Sequence, residues 1–344
     1  MVRQMYIIQT NYKIMCDIVN LDLRCYAHKH MQSLWQNIKC ARYSPFYLWF
    51  EYQQHRWVHL ETSFVKKKIF TKEALMYLRH NNFTKLNLMD KCAEGVFDAD
   101  FLNKMDAEMY LIGFENGVYD FKTKKFRDGH PDDCITLSVG YAYLPVDDKQ
   151  IHDVTEFFNV IQPDKEVRDY LLSVLSTCLV GPIINMKMHV LTGLSGSGKH
   201  QLIAMMKHML GDYFVESDRI LFESGGKRMT NHRGRRMCLA SSQQKIKSSH
   251  FKLAMSGECV GEKSKYGYTI HRSQLKLFMV ADNSPSSLMK DLSLFMRLCD
   301  VPFLEKIDAS DFTDGRYESI RLPLFCLLVS YYDTYYQQKY HPRS

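Results

Sequence analysis

No two of the ten cysteines stand in a C-x-x-C spacing. That removes the tight thiol pairs from which structural zinc sites and redox motifs are built. Nor does the chain open with a basic-then-apolar leader, since Arg3, Lys13 and Asp17 interrupt residues 1–20. Scattered thiols without a secretory signal point to a reducing, intracellular setting and away from secretion. No apolar run approaches the roughly 20 residues that a membrane helix needs. The longest candidate, 322–329, is short and holds Pro323, so no membrane partner is expected. Acid is scarce in one long stretch. Between residues 227 and 276 only Glu258 and Glu262 oppose a dozen lysines and arginines.

What is present is enough for packed domains. Hydrophobic residues make up 46% of the chain, well above the range of disordered segments. A chain of 344 residues exceeds one ordinary core and divides into two or three domains. The formal net charge of +7 permits a nucleic acid partner without demanding one.

The chain is organised around residues 188–211, which read MHVLTGLSGSGKHQLIAMMKHMLG. The first five residues have the apolar character of a strand. Gly193, Gly196 and Gly198 form a glycine-rich turn around Ser197. From Lys199 onward, Leu202, Ile203, Met206, Met209 and Leu210 recur at helix spacing. Strand, glycine turn and helix form the setting of a phosphate-binding loop. The turn wraps backbone N–H groups around a phosphate, Lys199 reaches its outer oxygens, and the helix N-terminus adds partial positive charge. The pattern is one residue short. A Ser or Thr hydroxyl belongs after the lysine to hold magnesium, and His200 stands there instead.

Upstream, residues 46–60 read as an aromatic-rich hairpin turning through Gln53, Gln54, His55 and Arg56, and its aromatics are expected in a core. Met5–Ile8 is a further strand candidate. Cys25, His28 and His30 stand as C-x-x-H-x-H, but a second tight ligand pair is missing, so a polar helix surface is the plainer reading. Thr71 caps a helix over 71–80, and residues 83–101 are helical in part, broken at Gly95. Residues 118–143 read as a small meander, with a turn at Asn116-Gly117 and alternation at Ile135, Leu137 and Val139. A helix over 165–180 is stopped by Gly181-Pro182. A final helical region over 316–340 is expected to break at Pro323.

Downstream, 236–241 reads as a buried strand ending in Ser241, Ser242 and Gln243, with no acid there. Residues 260–270 read as a projecting hairpin. Another apolar strand over 275–281 ends at Asp282 and Asn283. Asp282 is either a support for a metal-bound water or a plain strand-end acid. Asn283 begins an Asn-Ser-Pro turn, which is compatible with a role at a strand end.

From about residue 47 onward, these features in this order resemble the superfamily 3 helicases. The resemblance is to the helicase half of the primase-helicases of large cytoplasmic DNA viruses, of the poxvirus and giant-virus kind. The residues that carry it are the N-G-V-Y-D-F core within 113–121, the loop 193–200, the strand ending at Gln243, Asn283 at its strand end, and Arg297 followed by C-D-V-P-F over 299–303. The resemblance implies an α/β fold of the P-loop NTPase, AAA+-like superfamily 3 type. A smaller α+β N-terminal domain over 1–145 would precede a helical collar over 146–182, an ATPase core over 183–305 and a C-terminal helical segment over 306–344.

It further implies ATP and Mg2+ as ligands, a hexameric ring or a related active helicase as partner, single-stranded DNA as substrate, and a viral replication role in host cytoplasm or nucleus. By the same resemblance Asn283 is a sensor, Arg297 an arginine finger, and Lys263, Lys265 and Tyr266 belong to a DNA-contacting pore loop. The plainer reading of those last three is a solvated basic face. The departures fall on the chemistry. His200 replaces the magnesium hydroxyl, and Ser242 and Gln243 stand where the family has acid. Nucleotide binding with impaired hydrolysis is one expectation, and a catalytically inactive DNA-binding or regulatory paralogue is the other. A small-molecule kinase shares the loop but lacks a counterpart to the long segment 235–303.

Overall fold

The computed structural model describes residues 22–34, 37–43, 46–216, 232–240, 254–264, 267–283, 292–306 and 314–337. The chain divides into two compact units, one formed by residues 1–53 and 57–102, the other by 54–56 and 103–344. Among the described residues, no helix is long and apolar enough to cross a membrane.

The first unit begins with helix α1 (Leu23–Leu34), followed by the strands β1 (Ile38–Tyr43), β2 (Phe46–Gln53) and β3 (Arg56–Leu60) in one antiparallel sheet. The turn between β2 and β3 places Gln54 and His55 at φ 49° and 63°, the left-handed conformation that two-residue hairpin turns require. Helices α2 (Thr62–Ile69), α3 (Lys72–His80), α4 (Lys85–Gly95) and the short α5 (Phe101–Lys104) follow. The Thr71 side chain accepts the Ala74 N–H at the start of α3, as its position before an apolar-periodic run dictates. Thr84 and Asn87 cap α4 reciprocally. The core is aromatic. Trp49 is almost fully buried, and the Tyr26 and Tyr77 rings stack at 3.8 Å, tying α1 to α3.

The second unit opens with the antiparallel meander β4 (Leu111–Phe114), β5 (Gly117–Asp120) and β6 (Lys125–Arg127). The alternation at Ile135, Leu137 and Val139 does not produce a fourth strand. The Tyr213 hydroxyl explains this. It accepts the Gly113 N–H at 2.9 Å and donates to the Leu137 carbonyl, so a side chain stands where a backbone ladder would form. Two backbone bonds remain of the pairing, Val139 N–H to Gly113 O and Glu115 N–H to Tyr141 O.

Helices α6 (Asp148–Ile161) and α7 (Lys165–Ser176) come next, capped by Asp147 and Asp164. A five-stranded parallel sheet then forms from β7 (Met188–Thr192), β8 (Phe214–Glu216), β9 (Met237–Ala240), β12 (Lys276–Ala281) and β13 (Leu298–Pro302). Helix α8 (Lys199–Leu210) follows β7 directly. The antiparallel hairpin β10 (Cys259–Ser264) and β11 (Gly267–Arg272) is inserted before β12, and α9 (Leu292–Phe295) precedes β13. The spatial order is β13-β7-β12-β9-β8, so β7 is flanked by the two strands that follow latest in sequence. Both sheet faces are covered, as parallel sheets require. Val190, Leu277 and Met279 enter one core, while Leu191, Phe278 and Val301 enter the other.

Helix α10 (Asp314–Tyr331) runs through Pro323 without interruption, contrary to the expected break. The lost hydrogen bond and ring clash cost about 3 kcal/mol. Against this, Leu324, Phe325 and Leu328 are fully buried, each worth roughly 1.5–3 kcal/mol. Phe325 packs edge-on against Phe114 and Tyr119, so α10 and the meander share one core.

Two members of the basic stretch are core residues and not surface ones. Arg236 is 1% exposed. It donates to the carbonyls of Met109 at 2.7 Å and Leu111 at 3.0 Å and lies over the Tyr213 ring. Lys276 donates to the carbonyls of Val180, Gly181 and Gln274. Burial pulls both below their usual range, Lys276 well below it, with the Arg236 charge adding to the effect.

Candidate functional site

β7 ends at Thr192, and the chain turns through residues 193–198 into α8. Gly193 sits at φ 142°, and a side chain there would put its Cβ 2.1 Å from the Phe303 carbonyl oxygen. Only glycine fits between β7 and the end of β13. Gly198, at φ 87°, is the N-cap of α8 and has no side chain with which to cap it. The first-turn N–H groups of α8 therefore face the loop without a side-chain acceptor, which is the donor set of an anion site.

Ser197 and Lys199 are almost fully buried, and His200 is exposed. The Lys199 ammonium donates to the Leu194 carbonyl at 2.7 Å, to the Gly193 carbonyl at 2.5 Å and to Ser197 Oγ at 3.1 Å. Burial lowers its pKa, and the charge of Asp282 opposes that shift. Lysine is thus held inside the loop, within reach of anything the loop encloses.

The neighbouring strands bring their C-terminal ends to the same place. The Asp282 carbonyl, just past β12, accepts the Gly193 N–H at 3.2 Å. Phe303, just past β13, donates to the Thr192 carbonyl at 2.7 Å. Gly193, Gly196, Ser197, Gly198, Lys199, His200, Asp282 and Asn283 therefore gather at one end of the parallel sheet, where ligands of such sheets bind. Asp282 and Asn283 are exposed there.

Arg297 is not among them. Its carbonyl accepts the Met188 N–H at 2.8 Å, at the opposite end of β7. Four residue steps along the strand take that end to Thr192, about 13 Å at the usual rise. Lys263 is carried by β10, near the turn of the hairpin. Ser242, Gln243, Lys265 and Tyr266 lie outside the described residues, as does the strand expected at Met5–Ile8. Among the described residues, no three His, Cys, Asp or Glu side chains converge as metal ligands, and Cys25 is an exposed helix residue.

His189 gave no sequence signal, because it sits inside an apolar strand. It is 5% exposed; its Nε2 meets the Tyr170 hydroxyl at 3.2 Å, and that hydroxyl meets Cys299 Sγ at 3.0 Å. Burial pulls its pKa down to about 4, and burial does the same for His271. Both are neutral when folded at pH 6, whereas the unfolded chain begins to protonate them near 6.5. The unfolded state binds more protons, so stability falls as pH drops from about 6.5 toward 4. Urea midpoints measured at pH 7 and pH 5 are expected to decrease in that order, and His189→Phe is expected to flatten the difference.

A family model described as "D5 N terminal like" matches residues 28–163. A provisionally assigned helicase of Acanthamoeba polyphaga mimivirus is 29% identical over 308 residues, which is 75% of this chain and 32% of that protein. Another, of Invertebrate iridescent virus 6, is 30% identical over 159 residues, 45% of this chain and 16% of its own length. The chain thus spans about a third or less of the curated relatives it matches. Among solved structures, the apo C-terminal region of NrS-1 superposes with a TM-score of 0.53 at 8% identity, covering 89% of this chain and 68% of that one. That likeness shows a shared fold. The chain is related in sequence to the D5-type helicase-like proteins of large DNA viruses, and its α/β architecture is shared with the NrS-1 region.

Proposed function

We propose that the chain is a nucleotide-binding, helicase-like module of viral DNA replication that engages single-stranded DNA and hydrolyses ATP weakly. The observation that carries this is the uncapped N-terminus of α8 with Lys199 folded into the glycine turn beside it. Asp282 and Asn283 at the adjoining strand end supply the acid and amide that could face a terminal phosphate. The phosphate loop, the parallel sheet and the hairpin together fit residues 183–305 as an ATPase core, with 146–182 as a collar.

Magnesium fits this site poorly. His200 offers an imidazole where a hydroxyl would serve, and Ser242 and Gln243 replace the acid. Loss of one such stabilising group alone can cost on the order of 10² to 10³ in rate. These departures equally favour the second reading, a catalytically inactive DNA-binding or regulatory paralogue of a viral replicative helicase.

Arg297 can act only on a neighbouring copy, given its distance from its own loop. Leu292, Phe295 and Met296 are exposed next to it, while Leu194 and Leu304 are exposed at the loop end. Two different apolar patches at opposite ends of one sheet suit a head-to-tail interface, which closes into a ring when the rotation allows. The hairpin β10–β11, with Lys263, Lys265 and Tyr266, is the proposed DNA contact within that ring.

ATP turnover by the purified chain, with and without single-stranded DNA and beside a Lys199→Ala control, tests the reading. Slow turnover that needs Lys199 is expected. Fast, DNA-stimulated turnover would restore a full motor, and no nucleotide binding at all would remove the proposal. Arg297→Ala is expected to leave nucleotide affinity of dilute single subunits unchanged but to abolish turnover. Mixing it with the Lys199→Ala variant should recover part of that turnover, since each supplies what the other lacks.

A further inference from the structure

The first unit carries an open groove of about 780 Å³ that nothing described so far uses. Its floor is the buried Trp49, and Tyr47 and Phe70, both half-buried, stand in its walls. Lys66 and Lys67 on α2 and Lys85 on α4 line it from two sides. All three lysines are exposed, and among the described residues no ion pair engages Lys66 or Lys67. Their neighbour Lys68 differs, being directed to Glu51 at 3.4 Å. Lys85 already lies 5.5 Å over the Phe70 ring, so cation and aromatic face share a wall. Asp90 is the one acid in the lining.

Aromatic faces flanked by cations without acid partners match a nucleobase with its phosphate. Two observations favour a strand over a free nucleotide. A triphosphate calls for clustered N–H donors, and at the N-termini of α3 and α4 beside this groove a side chain already accepts one of them, while α2, whose Thr62 lines the groove, has no such cap. Thr71 accepts the Ala74 N–H at 3.2 Å, and Thr84 accepts the Asn87 N–H at 3.1 Å. The groove is also open at its rim, where Leu86 is 68% exposed, so a polymer can run through it. Separate lysine point charges suit one phosphate per nucleotide along such a chain.

We propose that this groove binds single-stranded DNA, as a contact distinct from the hairpin β10–β11. The choice of DNA as the polymer rests on the function proposed above; the groove's chemistry does not.

The test uses the full chain and a fluorescent oligothymidine, with binding measured over a salt series. Lys66→Glu, Lys67→Glu and Lys85→Glu together are expected to weaken binding on the order of tenfold and to lower the log–log salt slope by about 2, at roughly 0.7 per lost contact. Thermal unfolding should be unchanged, because the three side chains are exposed. The corresponding triple alanine variant should show the same loss of slope, and it carries the test if charge reversal perturbs folding. Iodouracil photocrosslinks are expected at Tyr47 or Phe70. An unchanged slope, or crosslinks confined to residues 259–272, would overturn the groove and leave the hairpin reading intact. Groove crosslinks with no effect of Lys263→Glu would uphold the groove and remove the hairpin. Displacement of the oligonucleotide by thymidine triphosphate or polyglutamate at equal charge would show that a strand is not the occupant.

Discussion

Replacing Lys199 with alanine is expected to lower affinity for ATP by roughly 10- to 100-fold, the value of a charge-assisted hydrogen bond of about 1.5–3 kcal/mol. The ammonium already sits inside the turn, bonded to the Gly193 and Leu194 carbonyls and to Ser197. No large rearrangement stands between that position and a phosphate oxygen. The fold should survive, because the removed group is a buried cation whose pKa is lowered by the burial itself. A titration with fluorescent ATP, beside a thermal unfolding curve, separates the two effects. Equal affinity in the variant would mean that nucleotide binds elsewhere or not at all.

Arg236→Ala is expected to cost about 3–5 kcal/mol of stability, from the loss of two charge-assisted hydrogen bonds at about 1.5–3 kcal/mol each and the cavity left behind. Its guanidinium joins the start of β9 to the carbonyls of Met109 and Leu111, and its plane covers Tyr213. Truncation removes the guanidinium donor from the Leu111 carbonyl, leaves the Met109 carbonyl with the Gly181 N–H alone, and opens a cavity against that ring. Arg236→Lys should recover only part of the loss, since one ammonium cannot match a planar fork spanning two acceptors. Denaturant titration measures both variants. A loss below about 1 kcal/mol, the scale of an exposed pair, would show that the arginine is not a clamp.

The same residue shows where sequence patterning stops. In a basic run with few acids, Arg236 and Lys276 look like solvated surface. Their partners are backbone carbonyls 127 and 125 positions away for Arg236 and 96 and 95 positions away for Lys276. Carbonyl acceptors leave no mark on charge patterning, so no local signal could separate these two from the rest. Pro323 fails for a related reason. Local propensity favours a break, but the burial of Leu324, Phe325 and Leu328 outweighs it. The missing fourth strand was hidden because its competitor is a single hydroxyl from Tyr213.

By contrast, the loop was fully legible. Glycines are needed where the backbone takes positive φ or approaches Phe303, and those positions can be read directly from the chain. Strand ends at Asp282 and Asn283 were legible from apolar runs, but their adjacency to Gly193 required the parallel pairing of β12 with β7. That pairing, with β13 on the other side, is also what sets Arg297 at the far end of the sheet. Chain order alone contains no such distance.

The most direct measurement is an ATP titration of the intact chain in magnesium and again in EDTA. A loop that keeps its glycines and Lys199 but has His200 in place of the metal hydroxyl should bind ATP saturably, with comparable affinity in both. The absence of saturable binding, or binding that strictly requires magnesium, would contradict the assignment of a phosphate site without metal anchors.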